Sequence, residues 1–265
     1  MYKNLWGCNL MTFANNQFFA FISFILIVGF VVYKIVQAQN GKIPAIRRIA
    51  GLDAIEEAVG RATEMGRPVH YSPGVGALDA ATFAGLELLD LVAKQVARYG
   101  ADLIVTIRQP IVLPIAEEVV KTGYRSAGVE EAYNPDSVRF ISQEQFAYAA
   151  GTMGIMEREQ VAANLMLGYF LAESILLAET GFKAGAIQIA GTDNRSQVPF
   201  FVTTCDYVLI GEELFAAGAV ASQNPLKLGS IAGQDLAKIY AIALLVIGSV
   251  AANFGITAIS NLLSK

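Results

Sequence analysis

Two long uncharged segments, one near each end of the chain, constrain the fold most strongly. No charged residue occurs between Lys3 and Lys34, and the stretch Phe18–Tyr33 within that segment is almost purely apolar. Charged residues are likewise missing between Lys238 and Lys265. A helix that crosses a bilayer needs about 20 apolar residues. Each segment therefore predicts a transmembrane helix, and the lipid bilayer is the first expected partner.

The first of these segments has an alternative interpretation as a cleaved signal peptide, because Val36-Gln37-Ala38 resembles a small-residue cleavage site. A signal peptide, however, carries its basic residues before the apolar run. Here only Lys3 precedes the run, and several basic residues follow it. We therefore interpret the segment as an anchor.

The charges that flank the first helix predict the orientation of the protein. Four basic residues (Lys34, Lys42, Arg47 and Arg48) follow the helix, and no acidic residue occurs before Asp53. Positive charge close to a membrane helix is retained on the cytoplasmic side. We expect a two-pass protein of the cell membrane whose N- and C-termini lie outside and whose intervening domain lies in the cytoplasm.

Between the two apolar segments the pattern changes to short β-branched runs that alternate with amphipathic helices. This alternation predicts an α/β fold with a Rossmann-like, mainly parallel sheet, and a division into residues 1–40, 41–230 and 231–265. We expect strands at Pro68–Ser72, Asp102–Ile107, Val138–Ile141, Ala186–Ala190 and Tyr207–Ile210. We expect helices at Asp53–Gly66, Asp79–Tyr99, Leu113–Gly123, Gln143–Gly151, Arg158–Gly181 and Leu214–Ser222.

The run Val161–Ala178 is also apolar enough to suggest a membrane helix. It contains Asn164 and Glu173, and a carboxylate in the middle of a bilayer costs at least ~2.5 kcal/mol. We therefore predict a buried cytoplasmic helix over this run.

Ligands of doubly wound sheets bind beyond the carboxyl ends of the strands, and two loops are candidates there. The first contains Ser72, Gly74 and Gly76, where glycines let backbone amides approach an anion. This loop matches neither common phosphate-binding motif, and a tight turn capped by Asp79 is the alternative. The motif does not identify a cofactor.

The second candidate loop follows the strand predicted at Ala186–Ala190 and contains Thr192, Asp193, Asn194 and Arg195. Asp193 and Arg195 are suited to bind a hydroxyl and a phosphate or carboxylate, respectively. A hydrated loop in which these two side chains pair with each other or with another subunit is the alternative.

The single histidine and the two cysteines form no recognisable catalytic or metal-binding pattern. His70 has no nucleophile at a recognisable spacing and is expected to be a hydrogen-bonded structural residue, and Cys205 an ordinary buried cysteine. Cys8 and Cys205 are expected on opposite sides of the membrane. No catalytic residue and no metal site are predicted, which favours a protein that is not an enzyme without deciding the question.

The charge balance disfavours nucleic acid as a partner. There are 16 basic and 23 acidic residues between Lys34 and Asp235, and the clustered basic residues lie beside the first apolar segment, where anionic headgroups would meet them.

Small residues in the second apolar segment favour self-association. Gly248, Ala252 and Gly255 recur at spacings that allow helices to approach closely in lipid. Pairing within one chain is the alternative. We expect a homo-oligomer formed through these residues and through the cytoplasmic domain, because only 16% of the chain is charged against a usual fraction of about 25%.

The run from Arg48 to Val69 (RIAGLDAIEEAVGRATEMGRPV), continuing into Ser72-Pro73-Gly74, resembles a family of uncharacterised prokaryotic membrane proteins that carry a domain of unknown function. The resemblance covers most of the expected cytoplasmic domain. It implies a bacterial or archaeal membrane protein and supplies no catalytic residue.

Three functions follow as hypotheses. The first is a membrane-anchored subunit of a homo-oligomeric structural assembly, such as a ring, tube or array. The second is a membrane-tethered enzyme or sensor that binds a nucleotide-like or other anionic molecule at the two strand-end loops. The third is a transport or channel component, which the uncharged apolar segments disfavour.

Overall fold

The computed structural model describes residues 18–44 and 46–254, which form two compact units. One unit combines the two terminal helices, and the other is the α/β unit Ile46–Asn224. Cys8 and Gly255, on which two of the predictions rest, lie outside the described residues.

The terminal helices are α1, Phe18–Gln39, and α9, Pro225–Asn253. Stretches of 20 and 27 residues within them, Ala20–Gln39 and Pro225–Ala251, are long and apolar enough to cross a membrane. The two helices pack antiparallel, since the beginning of α9 meets the end of α1 and Tyr240 reaches back to Ser23, with 3.1 Å between their hydroxyl oxygens.

Close packing of the two helices depends on Gly229 and Gly233, which are four residues apart in α9. A Cβ at Gly229 would lie 2.8 Å from the Cα of Ile35, and a Cβ at Gly233 would lie 2.5 Å from the Cα of Val31. This is the small-xxx-small geometry expected of helices that associate in lipid. The contact between α1 and α9 therefore uses Gly229 and Gly233, and these precede the predicted set Gly248, Ala252 and Gly255 in the sequence.

The α/β unit alternates strands and helices along the chain. Its strands are β1 Val69–Gly74, β2 Leu103–Ile107, β3 Val138–Phe140, β4 Ala163–Tyr169, β5 Ile187–Thr192 and β6 Tyr207–Ile210. Its helices are α2 Ala50–Met65, α3 Ala80–Tyr99, α4 Leu113–Ser126, α5 Gln145–Arg158, α6 Glu173–Lys183, α7 Val198–Thr204 and α8 Glu212–Ser222, with short 3-10 turns at Glu130–Ala132 and Pro135–Ser137.

Within the described residues, the six strands form one parallel sheet in the order β3-β2-β1-β4-β5-β6. Helices α2, α3, α4 and α8 pack over one face around the larger apolar core, and α5, α6 and α7 cover the other face. This is the Rossmann-like α/β architecture that the alternating pattern predicted, flanked by two apolar terminal helices.

The long internal helix predicted over Arg158–Gly181 is wrong, and so is the buried helix predicted over Val161–Ala178. The chain instead forms β4 and then α6. Strand β4 lies between β1 and β5 and is buried on both faces. Such a strand is apolar at successive positions, so its sequence does not alternate and cannot be told from a buried helix by periodicity.

Candidate functional site

The sheet reverses its direction of strand addition between β1 and β4, since β2 and β3 lie on one side and β5 and β6 on the other. In open α/β sheets this switch point leaves a crevice at the carboxyl ends of the strands, where ligands bind. The segment Ser72–Gly76 forms the end of β1 and the turn after it, and Thr192–Ser196 forms the end of β5 and the turn after it. Strand β4 separates β5 from β1.

Backbone from β1 and β4 closes the crevice at the switch point. Gly74 and Gly168 have φ angles of +89° and +157°, and a Cβ on either would collide with the backbone of the opposite strand. Just beyond them, the Val75 amide donates to the Tyr169 carbonyl at 2.7 Å. Glycine is required at both positions because only a residue without a Cβ tolerates these angles and this approach.

Other polar groups of the first loop also have protein partners. The Gly74 amide donates to Ser72 Oγ at 3.1 Å, and Arg108 Nη1 donates to the Val75 carbonyl at 2.9 Å. Gly76 packs against Asp79, which accepts a hydrogen bond from the Thr82 amide and caps α3 as the alternative interpretation expected. An anion-binding role for Ser72, Gly74 and Gly76 stays a prediction, and it requires the loop to rearrange.

In the second loop, Asn194 is hydrogen-bonded to the segment after β4, whereas the side chains of Asp193 and Arg195 on either side of it are exposed. Asn194 Nδ2 donates to the Phe170 carbonyl at 2.8 Å, and the Asn194 amide donates to Thr192 Oγ1 at 3.2 Å. Asp193 and Arg195 are exposed and form no ion pair with each other, and the Asp193 carboxylate is hydrogen-bonded to its own backbone amide. Of the predicted ligand residues, these two side chains are the ones available to a molecule in solution.

The pKa of Asp193 identifies a carboxylate neighbour. Burial raises this pKa above its ordinary value, and the charge of Asp79 raises it further. The charge of Asp79, which caps α3, therefore acts on the second loop and disfavours an anionic ligand beside Asp193.

A continuous network of buried polar side chains lies between the sheet and α5, beneath the first loop. From the side of β5 it consists of Gln188, Asn164, His70, Thr106, Tyr148 and Ser72, all of them fully buried or nearly so. Sequence reasoning did not predict this network. The signal that was available is the polar pair His70 and Ser72 at alternate positions of β1.

The hydrogen bonds around His70 determine which of its two ring nitrogens carries the proton. Because Asn164 Nδ2 donates to Gln188 Oε1 at 2.9 Å, Asn164 Oδ1 is the atom that faces His70 Nδ1, at 2.8 Å. His70 Nδ1 therefore carries the proton, and Nε2 accepts from the Thr106 hydroxyl at 2.9 Å. His70 is hydrogen-bonded and fully buried, as expected, and its structural role stays a prediction.

Burial determines the charge of His70. Desolvation lowers its pKa from 6.5 to about 4, and the hydrogen bond with Asn164 only partly opposes this. The imidazole is therefore neutral near neutral pH, and the whole network is uncharged. Such a network orders the sheet and the loop above it.

Glu173 is a buried carboxylate at the N-terminus of α6. It begins α6, where it accepts a hydrogen bond from the Leu171 amide at 2.7 Å and another from Gln145. A carboxylate at a helix N-terminus is stabilised by the helix dipole. In the sequence, Glu173 served only as an indication that the run Val161–Ala178 does not cross a membrane.

Neither a reactive thiol nor a metal centre is found in the part of the chain that the structure describes. Burial raises the pKa of Cys205 to about 12, so its thiol is protonated at neutral pH. No group of three or more His, Cys, Asp or Glu side chains is placed to hold a metal ion among the described residues.

Comparison with protein families finds one match that covers almost the whole chain. The family defined by the domain of unknown function DUF6754 matches residues 8–263. The chain belongs to this family. The match confirms the resemblance to a family with an uncharacterised domain, and it extends beyond the α/β unit into both terminal helices. Comparisons with curated proteins and with solved structures find no match.

Proposed function

We propose that the protein is a membrane-anchored subunit of a homo-oligomeric assembly, in which copies of the α/β unit contact one another along β6. The observation that carries the proposal is the uncovered apolar edge of the sheet at this strand. We call β6 together with the neighbouring helix α7 the β6 edge.

Strand β6 lacks two features that commonly protect an edge strand, charged side chains and proline. Among the described residues β6 pairs only with β5, and it contains no charged residue and no proline. Its side chains Tyr207 and Ile210 are 38% and 48% exposed, and Phe200 and Val202 on α7 are 41% and 54% exposed. Natural edge strands are commonly short, charged or covered, because an open edge pairs with other strands.

The other outermost strand of the sheet, β3, provides a comparison within the same unit. Strand β3 has only three residues, and the middle one is Arg139. A charged side chain on an edge strand resists pairing. The contrast favours β6 as the edge that pairs.

A second copy of the same chain is the expected occupant of the β6 edge. Two β6 strands related by a two-fold axis run antiparallel, so each offers the other the same backbone groups and the same apolar side chains. Self-complementary contacts of this kind are the commonest in homo-oligomers. Pairing would join two sheets into one and bury the exposed aromatic and aliphatic groups.

The proposal places the two apolar helices in the cell membrane. The basic residues Lys34, Lys42, Arg47 and Arg48 favour a cytoplasmic location for the α/β unit and an outer location for both termini. Gly229 and Gly233 provide the contact within the chain. The set Gly248, Ala252 and Gly255 is proposed to contact the helices of a neighbouring subunit.

The geometry of the switch point supports assembly over the binding of a nucleotide-like ligand. The crevice is closed by the Val75–Tyr169 hydrogen bond, and the amides of Gly74 and Val75 already have acceptors. A ligand would therefore have to displace existing hydrogen bonds before it could use these two amides.

The experiment measures the mass of the detergent-solubilised protein by light scattering with the detergent contribution subtracted. We expect a wild-type particle that contains several 28.3-kDa chains, and smaller particles for Tyr207→Lys and Ile210→Lys. Phe182→Lys is the matched control because Phe182 is 74% exposed at the end of α6 and lies outside the β6 edge.

Three results would reject the β6 contact: a monomeric wild type, edge variants of unchanged mass, or an equal effect of Phe182→Lys. Gly248→Leu combined with Gly255→Leu tests the helix contact separately. A particle that survives the lysine substitutions and dissociates with the leucine substitutions would assign assembly to the membrane helices alone.

A further inference from the structure

The packing of α1 against α9 determines which residues of the two helices lie at the same depth in a membrane. Gly229 lies against Ile35, and Gly233 lies against Val31. A step of four residues forward along α9 therefore matches a step of four residues back along α1. Because both helices have the same rise per residue, this antiparallel register extends along the rest of the pair.

The register brings an ion pair to the depth of the apolar run of α1. It places Asp235 level with Gly29 and Lys238 level with Leu26, and both levels lie inside the run Phe18–Tyr33. Lys238 Nζ lies 3.2 Å from Asp235 Oδ1. The sequence does not show this arrangement, since the uncharged segment of α9 begins only after Lys238.

A shift of the bilayer along the helices does not remove the ion pair from it. If the bilayer ended at the level of Lys238, α1 would contribute only Phe18–Ile25, a length of ~12 Å against a hydrocarbon core of ~30 Å. The run has no apolar extension before Phe18, because Asn15, Asn16 and Gln17 precede it in the sequence. A bilayer that α1 crosses therefore contains the pair.

The ion pair lies on the side of α9 that faces away from α1. The side chains of Asp235 and Lys238 are 62% and 46% exposed. Asp235 follows Gly233, which contacts α1, by two residues, a rotation of about 200° around the helix. Charged residues inside a membrane span face other helices or water rather than lipid. The pair therefore requires a cover from outside the helix pair.

The same side of α9 has the spacing of a helix-packing surface. Six of its residues follow one another at alternating intervals of four and three: Ile231, Asp235, Lys238, Ile242, Leu245 and Ser249. We call these six residues the α9 seam. Ile242 and Leu245 are 58% and 67% exposed. Alternating intervals of four and three are those of positions a and d in a coiled coil, where parallel helices pack together.

We propose that the α9 seam packs in parallel against the α9 seam of a second copy, with Asp235 of each copy beside Lys238 of the other. Two copies inserted in the same orientation present this helix in parallel and at the same depth. In such a pair, a side chain at position a enters a hole that includes position d of the facing helix, so the acid of one copy meets the base of the other.

A second copy therefore complements the seam in both spacing and charge. A polar group at such a position lowers the stability of the helix pair and specifies its register. The inference rests on the proposed membrane-anchored homo-oligomer, and it identifies the ion pair as the element that sets the contact between subunits within the membrane.

The test is oxidative cross-linking of the full chain in isolated membranes, with a single cysteine on α9 in a Cys8→Ser, Cys205→Ser background. Leu245→Cys is expected to give a disulfide-linked dimer as the main product, because the d positions of parallel helices face each other closely. Ile247→Cys is the matched control and is expected to stay unlinked. Ile247 is 59% exposed and lies two residues further along α9, on the other side of the helix.

Charge reversal tests the ion pair itself. Asp235→Lys places two lysines in each seam and is expected to abolish the cross-link through Leu245→Cys, because like charges then meet inside the bilayer. Adding Lys238→Asp restores opposite charges with their positions exchanged, and it is expected to recover the cross-link.

Equal cross-linking of Leu245→Cys and Ile247→Cys, or a cross-link that is unaffected by Asp235→Lys, would overturn the seam contact. The mass of the wild-type particle in detergent separates this failure from that of the proposed function. An oligomeric wild type without the seam cross-link rejects the seam contact alone, whereas a monomeric wild type rejects both.

Discussion

The neutral, buried His70 predicts that acid destabilises the α/β unit in a defined pH window. Above pH 6.5 the imidazole is neutral in both the folded and the unfolded chain, so its contribution to stability is complete. Between pH 6.5 and about 4 the unfolded chain takes up a proton and the folded chain does not. Stability is therefore lost as the pH falls through this window.

The magnitude follows from the two pKa values. The interval from 6.5 to about 4, at about 1.4 kcal/mol for each pH unit, gives a loss of about 3 kcal/mol from this one group. Below the folded-state pKa both states are protonated, and His70 adds no further pH dependence. A loss of this size is a substantial part of the stability of a typical domain, which is about 5–15 kcal/mol.

The variant His70→Gln isolates this effect from that of the carboxyl groups. Glutamine does not titrate, and its loss of one or both hydrogen bonds to Asn164 and Thr106 should destabilise the protein by about 1–3 kcal/mol near neutral pH. On acidification the difference between wild type and variant should shrink, and then reverse in sign, because only the wild type loses the imidazole contribution.

The measurement is urea unfolding of the detergent-solubilised chain, followed by far-ultraviolet circular dichroism across the pH window. Because the chain has a single histidine, the ring proton resonance of His70 gives the folded-state pKa directly by NMR. A stability difference that does not change with pH, or a measured pKa at or above 6.5, would refute the reasoning.

Two further predictions concern glycines that the packing requires. Gly168→Ala should lower the free energy of unfolding by more than about 2 kcal/mol, because its Cβ would meet the Pro73 carbonyl and its φ is +157°. The control Gly60→Ala lies in open space within α2 and should raise the free energy of unfolding by up to about 1 kcal/mol. Equal effects of the two variants in urea unfolding would contradict the close approach of β1 and β4. Gly233→Leu should separate α1 from α9 and lower the midpoint of thermal unfolding in detergent. Gly29→Leu should leave the midpoint unchanged, since no atom lies within 4 Å of a Cβ at Gly29. A similar midpoint for both variants would show that the pairing of α1 with α9 does not depend on Gly233.

Local patterns were sufficient to predict the fold class and most elements of the α/β unit. Strand β6, for example, begins and ends where its β-branched run predicts, and Asp79 caps α3 as its position before an amphipathic helix indicated. These features depend on residues a few positions apart along the chain. Side-chain periodicity and capping are therefore enough to define them.

The same reasoning failed at β4, and it missed the short helix α7. A central parallel strand has no polar face, so Ala163–Tyr169 gives the same pattern as a buried helix. What makes it a strand is its backbone pairing with β1 and β5, whose residues are distant in the sequence.

The sequence by itself determined the two apolar terminal helices, the α/β class and the glycine positions of the strand-end loop. Only the tertiary structure decided how those glycines are used, since it is the approach of Gly74 and Gly168 that closes the switch point. The buried network around His70 and the exposed β6 edge also emerge only in three dimensions. The physical reason is the same in each case: helices and strands follow from interactions between near neighbours in the chain, whereas closure, burial and exposure depend on which distant segments are brought into contact.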